Sequence, residues 1–220
     1  MLLDAAIHQN AAWCDLVCLR HGLATAWTDQ AWTCATRAPE LYPDAVTLHA
    51  DLDVAAMLER IDARPGCSVK DSFATIDLEP YGFDVLFEAT WVMARGDGST
   101  TAWLPLVVPA DLAAWRSAWI AAGGVPGVLE PSAPAADTVT FVGHVADGMV
   151  DGGGVLHAVA DVVGTSNLFG RDPWRHVIGS VADGTTVVGY ETGDDLAAAL
   201  AAGATALGPL RVWVRRASGG

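Results

Sequence analysis

The chain has 220 residues, of which 52% are hydrophobic and 17% are charged, a composition that excludes intrinsic disorder and allows one large domain or two small ones. Its formal net charge is −14, and an acidic surface repels phosphate backbones, so we expect no nucleic-acid partner but weak attraction for cationic or amine substrates. The longest uncharged apolar run, residues 196–210, is shorter than the about 20 residues that cross a bilayer, so we expect no membrane partner.

The N-terminus and the cysteines predict a compartment. The N-terminus has neither a basic start nor an A-x-A cleavage site, so we expect a cytoplasmic protein. The abundance of alanine and the presence of a single lysine, Lys70, indicate a bacterial source with a high-GC genome. In the cytoplasm the four cysteines are expected to be reduced thiols; they are Cys14, Cys18, Cys34 and Cys67.

The N-terminal region begins with a predicted helix over residues 2–21. Its apolar residues recur every three or four positions, and Gly22 follows as a stop signal. Periodicity and turn residues then predict, in chain order, strands over 24–36 and 45–49, a short helix over 54–61, an extended segment over 67–74, a helical or looped connector over 76–83 and a long strand over 84–94.

A hairpin turn at 96–98 is predicted to lead from the long strand into a returning strand over 101–108. Pro109 then opens a helix that ends before Gly123, with Leu112, Trp115 and Trp119 on its apolar, core-facing stripe. Residues rich in Gly, Pro and Ala follow and indicate a linker. We therefore predict an N-terminal region over residues 1–124, a linker over 125–137 and a C-terminal region over 138–220.

The C-terminal region alternates strands and helices. A two-residue turn at Asp147-Gly148 joins its first two strands, and the glycines 152–154 predict a bulge or a close backbone approach. Asp172 is placed as the N-cap of one helix, and Thr192 with Asp195 as a capping box for the next. The elements predicted here are strands over 138–146, 149–160, 161–169, 184–191 and 207–216, with helices over 172–182 and 193–202.

This element order over 138–216 resembles the core of the GNAT-type N-acetyltransferases. The turn between the second and third strands of that family, the short alanine-rich helix ended by Gly203 and the last strand with its Val-Trp-Val run all have counterparts here. The resemblance implies an α/β (α+β) fold with a mixed, mostly antiparallel sheet flanked by helices. Residues 68–95 and 185–216 also share one plan, ending in a long strand with a late Trp, so two half-GNAT units are an alternative to one decorated domain.

The resemblance also implies a place for acetyl-CoA as acyl donor. In the family the donor lies where two adjacent strands splay apart, with its pyrophosphate at the start of the following helix. The family motif Q/R-x-x-G-x-G/A is reduced here to Gly170 followed by Arg171, and Asp172 as N-cap would place a negative charge against phosphate. The cofactor-binding candidates that this implies are Thr165, Asn167, Gly170, Arg171 and Arg175.

Catalysis in the family needs a general base for the amine and a general acid for the thiolate. The family's acid, a Tyr four residues before the helix-ending Gly, corresponds to Ala199 here. Tyr190 is therefore our candidate acid, and Asp161 or His157 our candidate base. For Tyr190 and His157 the alternatives are a strand-end Tyr with its hydroxyl in water and a structural or solvent-facing His.

Cys14, Cys18 and His21 share one helix face, and with Cys34 or Cys67 they could bind zinc, although small core residues are the alternative and no C-x-x-C pair exists. Walker, G-x-G-x-x-G, G-x-S-x-G and H-E-x-x-H motifs are absent from the sequence, so we predict no metal and no kinase, dehydrogenase or serine-hydrolase activity.

Two functions remain open. The first is acyl-CoA-dependent N-acyl transfer to a small-molecule amine by direct transfer. The second is a non-catalytic GNAT-like binding or regulatory role in which CoA binding is lost. The Trp-rich N-terminal half is expected either to close over a pocket or to form a homodimer interface.

Overall fold

The computed structural model describes residues 2–99, 103–130 and 138–216. The chain forms two compact units, Met1–Trp91 with Leu207–Gly220, and Val92–Ala206. Within the described ranges, no helix has both the length and the apolar composition needed to cross a membrane. The predicted fold class is confirmed, because the elements are mixed α/β and most strand pairs are antiparallel.

The first unit is a sheet with the strand order β1-β2-β3-β4-β11-β5. Most of its pairs are antiparallel, but β3 and β4 are parallel because helix α2 connects them. Trp213 and Phe83 are buried in its core beside Met57. Its elements are α1 (Leu2–Arg20), β1 (Thr25–Trp27), β2 (Ala31–Cys34), β3 (Ala45–Thr47), α2 (Val54–Leu58), β4 (Ser68–Asp71), a 3₁₀ turn (Glu79–Tyr81), β5 (Phe83–Arg95) and, from the end of the chain, β11 (Thr205–Arg215).

The second unit is a sheet in the order β5-β10-β9-β8-β7-β6, to which β5 contributes its C-terminal end. Its parallel pair is β9 and β10, joined through helix α4. The elements are β6 (Leu104–Pro105), α3 (Pro109–Ala121), β7 (Val139–Ala146), β8 (Met149–Val159), β9 (Val162–Phe169), α4 (Pro173–Ser180), β10 (Thr186–Glu191) and α5 (Gly193–Ala201).

The order of elements from α1 to β5 is repeated along the chain from α3 to β11, leaving β6 aside. Each series has a helix, three antiparallel strands, a second helix, a strand parallel to the third, a helical connector and a long final strand. In the first series the connector is the 3₁₀ turn, and in the second it is α5. A repeated order of elements is what the alternative of two half-GNAT units requires.

Glycines in β8 let helices approach both faces of the second unit's sheet. A Cβ on Gly153 would lie 2.4 Å from Trp115 Nε1 on α3, and a Cβ on Gly152 would lie 3.1 Å from the Trp103 ring on the other face. Successive residues of a strand point to opposite faces, so α3 covers one face. Trp103 packs with the α4 residues on the other.

Three local predictions are wrong. The segment 96–98 forms no hairpin with the described part of the predicted strand, residues 103–108: Gly96 N donates to Thr185 O and Asp97 N to Ile178 O, while β6 pairs with β7. The predicted strand 24–36 is two strands, since the turn around Thr28 interrupts it. Thr192 is the N-cap of α5, but its side chain makes no capping hydrogen bond, so the capping box is absent.

The predicted linker 125–137 is described only up to residue 130, and 131–137 lie outside the described residues. Within its described portion Val128 and Leu129 are buried, and Glu130 forms an ion pair with Arg116 at 2.7 Å. The segment that follows α3 therefore packs back onto its own unit.

Candidate functional site

Strands β9 and β10 part from each other halfway along their length. Their parallel pairing covers three residue pairs and stops at Val188 opposite Gly164. Both strands continue, β9 to Phe169 and β10 to Glu191, without further pairing to each other. The two strand ends therefore enclose an opening in the sheet.

A β-bulge in β9 causes this divergence. Val155 of β8 pairs with Ser166 and Gly153 with Phe169, so Asn167 and Leu168 face the single residue Gly154. Asn167 has a positive φ of 54°, and an extra residue in a bulge bends its strand. The bend turns the end of β9 away from β10.

The loop after β9 is held against β8 by a pair of glycines. Gly170 has a φ of 94°, and a Cβ there would lie 2.5 Å from the Cα of Gly152. Any larger residue at position 170 would clash with backbone, so the loop is fixed closely. It places the start of α4 at the end of the opening.

The N-terminus of α4 has no side-chain cap. Asp172 occupies the N-cap position with φ 49°, but its side chain makes no hydrogen bond to the helix. The side-chain cap that the sequence predicted at Asp172 is therefore absent, because in the left-handed conformation its carboxylate is instead 3.5 Å from Arg171 Nε. The corresponding helix of the first unit, α2, differs: Asp53 accepts from Ala56 N at 3.1 Å.

A groove of about 200 Å³ lies between the start of α4 and one face of α5. The α5 side is lined by three alanines, Ala198, Ala201 and Ala202, whose small side chains leave the space open. The α4 side runs from Asp172 to Arg175 and brings a guanidinium and the uncapped helix end to the same place. This groove suits a slender ligand with an anionic group, since the helix dipole attracts anions.

Trp174 occupies the opening between the strands. A Cβ on Gly189 of β10 would lie 3.0 Å from both the Trp174 ring and Thr165 Cγ2 of β9. The indole is 2% exposed, and its Nε1 donates to Glu191 Oε1 at 2.7 Å. Beside it, Thr165 Oγ1 is buried and has no hydrogen-bond partner among the described residues.

Glu191 is a titratable group of this site that the sequence analysis missed. Burial raises the pKa of its carboxyl to about 7, against the opposing effect of the Trp174 hydrogen bond. A carboxyl with such a pKa exchanges a proton near neutral pH, as a general base must. The available signal was a carboxylate at the end of an otherwise uncharged strand, GTTVVGYE.

Four of the five cofactor-binding candidates come together at this site. Thr165 lies in the opening, Asn167 forms the bulge and Gly170 fixes the loop. Arg175 lines the groove, whereas Arg171 is 95% exposed and lines a different cavity on the other side of α4.

The three catalytic candidates lie apart from Trp174. Asp161 is exposed in the turn between β8 and β9, at the end of β9 opposite α4. His157 is 7% exposed on β8, next to Leu156, which packs in the cluster that contains Trp174. Tyr190 lies between Gly189 and Glu191, which both contact Trp174. Since side chains alternate along a strand, His157 and Tyr190 point to the opposite face.

The cysteine cluster provides no second site of the predicted kind. Cys14 and Cys18 are buried, while His21 is exposed at the end of α1. Burial, as the main cause, raises the pKa values of the Cys14 and Cys18 thiols, so both are held as neutral thiols. Among the residues that the structure describes, no three His, Cys, Asp or Glu side chains are arranged to hold a metal ion.

Solved structures share this arrangement over nearly the whole chain. A protein from Novosphingobium aromaticivorans assigned to the GNAT acetyltransferase family superposes with a TM-score of 0.59 at 12% identity, covering 93% of this chain and 96% of the other. The fold of this chain is the GNAT fold. A GCN5-related N-acetyltransferase from Kribbella flavida gives 0.54 at 16% identity, covering 98% and 97%.

A third GNAT structure, a GCN5-related N-acetyltransferase from Sphaerobacter thermophilus, gives a TM-score of 0.51 at 12% identity and covers 95% of this chain and 90% of the other. No family model matches the sequence, and no curated protein matches it. The likeness to the GNAT proteins is therefore one of fold.

Proposed function

We propose that this protein is an acyl-CoA-dependent N-acyltransferase that acylates a small amine by direct transfer. The observation that carries the proposal is the combination of parted β9 and β10 strands with an uncapped α4 N-terminus and an open groove along α5. The GNAT fold supports this function in general terms. The substrate class and the direct route are our proposal.

The residues of the groove are suited to an acyl-CoA. The α4 N-terminus and Arg175 offer positive charge for the donor's pyrophosphate, and the alanine face of α5 leaves room for its narrow arm. The buried hydroxyl of Thr165, without a partner in the described ranges, is a hydrogen-bonding group for a polar ligand atom in the opening. When bound, the donor supplies an acyl group activated as a thioester.

Trp174 must turn out of the opening for the donor to enter between the strands. Its ring lies against Gly189 and Thr165, where the end of the donor's arm is expected. Turning out breaks the 2.7 Å hydrogen bond to Glu191 and exposes that carboxylate to the bound substrates. Donor binding and uncovering of the base are thus coupled in the proposal.

Glu191 is the proposed general base. Its carboxylate accepts a proton from the ammonium, which frees the nitrogen lone pair to attack the thioester carbonyl. As the C–N bond forms, the C–S bond breaks, and the CoA thiolate leaves and takes a proton from solvent. In the closed site, before Trp174 turns out, burial holds the pKa of this carboxyl at about 7. The net charge of −14 favours approach of a cationic amine.

The second candidate function, a GNAT-like binding or regulatory protein without acyl transfer, is favoured by the same tryptophan. Trp174 fills the opening with a buried, hydrogen-bonded indole, and such a side chain can be a permanent component of the core. In that case a ligand would bind only in the outer groove between α4 and α5.

An assay of thiol release from acetyl-CoA over a panel of small primary amines and polyamines separates the two functions. The proposed function requires amine-dependent release of CoA, with a matching amount of N-acetylated amine detected by mass spectrometry. Absence of turnover with every amine, together with absence of saturable CoA binding, would instead support the binding or regulatory protein.

A further inference from the structure

Two buried cysteines of the first unit contact each other. The thiol of Cys18, in the last turn of α1, is hydrogen-bonded to the thiol of Cys34, the last residue of β2. Both residues are buried, and both are free thiols. The acyl-transfer proposal uses neither side chain. Two thiols in contact are the arrangement from which a disulfide forms.

The packing of α1 on β2 holds these two thiols together. Trp32 Nε1 donates to Asp15 Oδ1 at 2.8 Å and so joins the strand to the helix. Cys18 follows Asp15 by three residues on the same side of the helix, an advance of about 4.5 Å. Cys34 follows Trp32 by two residues on the same face of the strand, an advance of about 6.6 Å. Cys14 is one helical turn, about 6 Å, farther back along α1 than Cys18.

Cys67 lies on the other face of the same sheet. It belongs to the core cluster that contains Val69 of β4. The next residue of that strand, Lys70, points to the opposite face, where its Nζ donates to Asn10 Oδ1 of α1 at 2.8 Å. The sheet therefore separates Cys67 from the cysteines that face α1.

Both thiols of the pair lie next to exposed residues. Residues 20–22, which follow Cys18, and residues 35–36, which follow Cys34, are exposed. Terminal helical turns open locally more readily than the middle of a helix. Burial is the main cause that raises the pKa of the Cys18 thiol. Opening of the last turn of α1 therefore exposes the sulfur and also allows its thiolate to form.

We propose that Cys18 and Cys34 are a redox modification site, at which a peroxide converts the two thiols into a reversible disulfide that links the end of α1 to β2. The thiolate of Cys18 attacks one peroxide oxygen, the O–O bond breaks, and the released hydroxide takes a proton to become water, which leaves a sulfenic acid on Cys18. The sulfur of Cys34 then attacks the sulfenic sulfur. The S–S bond forms, the S–O bond breaks, and a second water leaves with the proton of Cys34. The two thiols together lose two electrons, which the peroxide gains.

The test treats the folded full chain with hydrogen peroxide, blocks the remaining thiols with N-ethylmaleimide and digests the protein with a protease that cleaves before Asp. This digestion places each cysteine on its own peptide, namely Cys14 in residues 4–14, Cys18 in 15–28, Cys34 in 29–43 and Cys67 in 62–70. We expect mass spectrometry to find peptide 15–28 joined to peptide 29–43, and a dithiol reductant to separate them. Since a disulfide constrains the unfolded chain, the oxidised protein should also have a Tm about 5 °C higher than the reduced protein.

C14A and C67A are the matched controls, because each removes one buried thiol of the same unit from outside the pair. Both should give the joined peptide, whereas C18A and C34A should give none. Four free thiols after peroxide treatment, a disulfide between any other two cysteines, or a Tm that does not rise would overturn the proposal. These outcomes are read on the unsubstituted chain, so they hold even where a variant fails to fold. The pair belongs to the first unit and the groove to the second, so the result is independent of the acyl-transfer proposal.

Discussion

Glu191 couples the proposed chemistry to the stability of the fold. Burial raises the pKa of its carboxyl from an ordinary 4.5 to about 7. Between these values the folded state holds the proton more tightly than the unfolded state, so the free energy of unfolding falls as the pH rises from 4.5 to about 7. A difference of this size corresponds to about 3 kcal/mol at most.

Glu191→Gln should keep the hydrogen bond from Trp174 through the amide oxygen while removing the titratable group. We expect acyl transfer to fall by about 10²- to 10⁴-fold, as for loss of a general base, with little change in donor affinity. The fall in unfolding free energy between about pH 5 and about pH 8 should also shrink. Steady-state kinetics and chemical denaturation at both pH values measure these effects.

Trp174→Phe is the companion variant, since it removes the hydrogen bond and keeps the carboxyl. It should retain the pH-dependent stability and a working base. If E191Q turns over amines as fast as the unsubstituted protein, Glu191 is not the base.

Gly153 is required by packing rather than by backbone conformation. A Cβ there would lie 2.4 Å from Trp115 Nε1 and 2.6 Å from Val142 O, and Trp115 is fully buried. We expect Gly153→Ala to lower the free energy of unfolding by about 2 kcal/mol or more through overpacking. Denaturant unfolding measures the loss.

Gly208→Ala is the control for this prediction, because its nearest neighbour, Leu3 Cδ2, would be at an ordinary 3.5 Å. It should change the stability by less than about 1 kcal/mol. Equal losses for the two variants would contradict the packing argument.

At the scale of elements, α5 offers a matched pair of surface positions. Ala198 lines the groove opposite α4, whereas its neighbour Ala197 is exposed and lies outside the groove. Leu is a good helix former, so both Ala198→Leu and Ala197→Leu should fold. We expect A198L to weaken acetyl-CoA binding at least about tenfold by occupying the groove, and A197L to bind normally. Calorimetric titration of both variants gives the comparison.

Elements were predictable where their signal is local. The apolar spacing in α1, the Pro109 start of α3 and the Asp147-Gly148 turn all lie within the segments that they shape. The hairpin at 96–98 failed because its backbone bonds to residues 178–185, about 85 positions away. The cap at Asp172 failed because a left-handed N-cap cannot be distinguished by composition from an extended one.

The residues of the candidate site also fall into two groups, those that local sequence identifies and those that only the packed structure identifies. The segment from Thr165 to Arg175 could be found from its place between strand and helix. Trp174 and Glu191 could not, because their contact joins the start of a helix to the end of the next strand. A pKa raised by burial requires the packed structure.

At the scale of the whole molecule, the first unit is completed by the end of the chain. Strand β11 pairs with β4 over four residues, Arg211 to Val214, and contributes Trp213 to the core at 2% exposure. A fragment 1–125 lacks this strand. We expect it to show no cooperative unfolding. The free energy lost with a core Trp and a whole strand exceeds the free energy of unfolding of a small unit.

Addition of a peptide spanning residues 205–216 should restore a cooperative transition to that fragment, as followed by circular dichroism. A fragment that unfolds cooperatively on its own would show that β11 is dispensable and that the N-terminal region folds independently.

Thermal unfolding with increasing acetyl-CoA is the first experiment for the proposed binding of an acyl-CoA in the groove between α4 and α5. A ligand that binds only the folded state adds about 2.7 kcal/mol of stability at about 100 times its Kd. We expect a concentration-dependent rise in Tm that A197L retains and A198L loses. An unchanged Tm at about millimolar acetyl-CoA, or an equal rise in both variants, would contradict it.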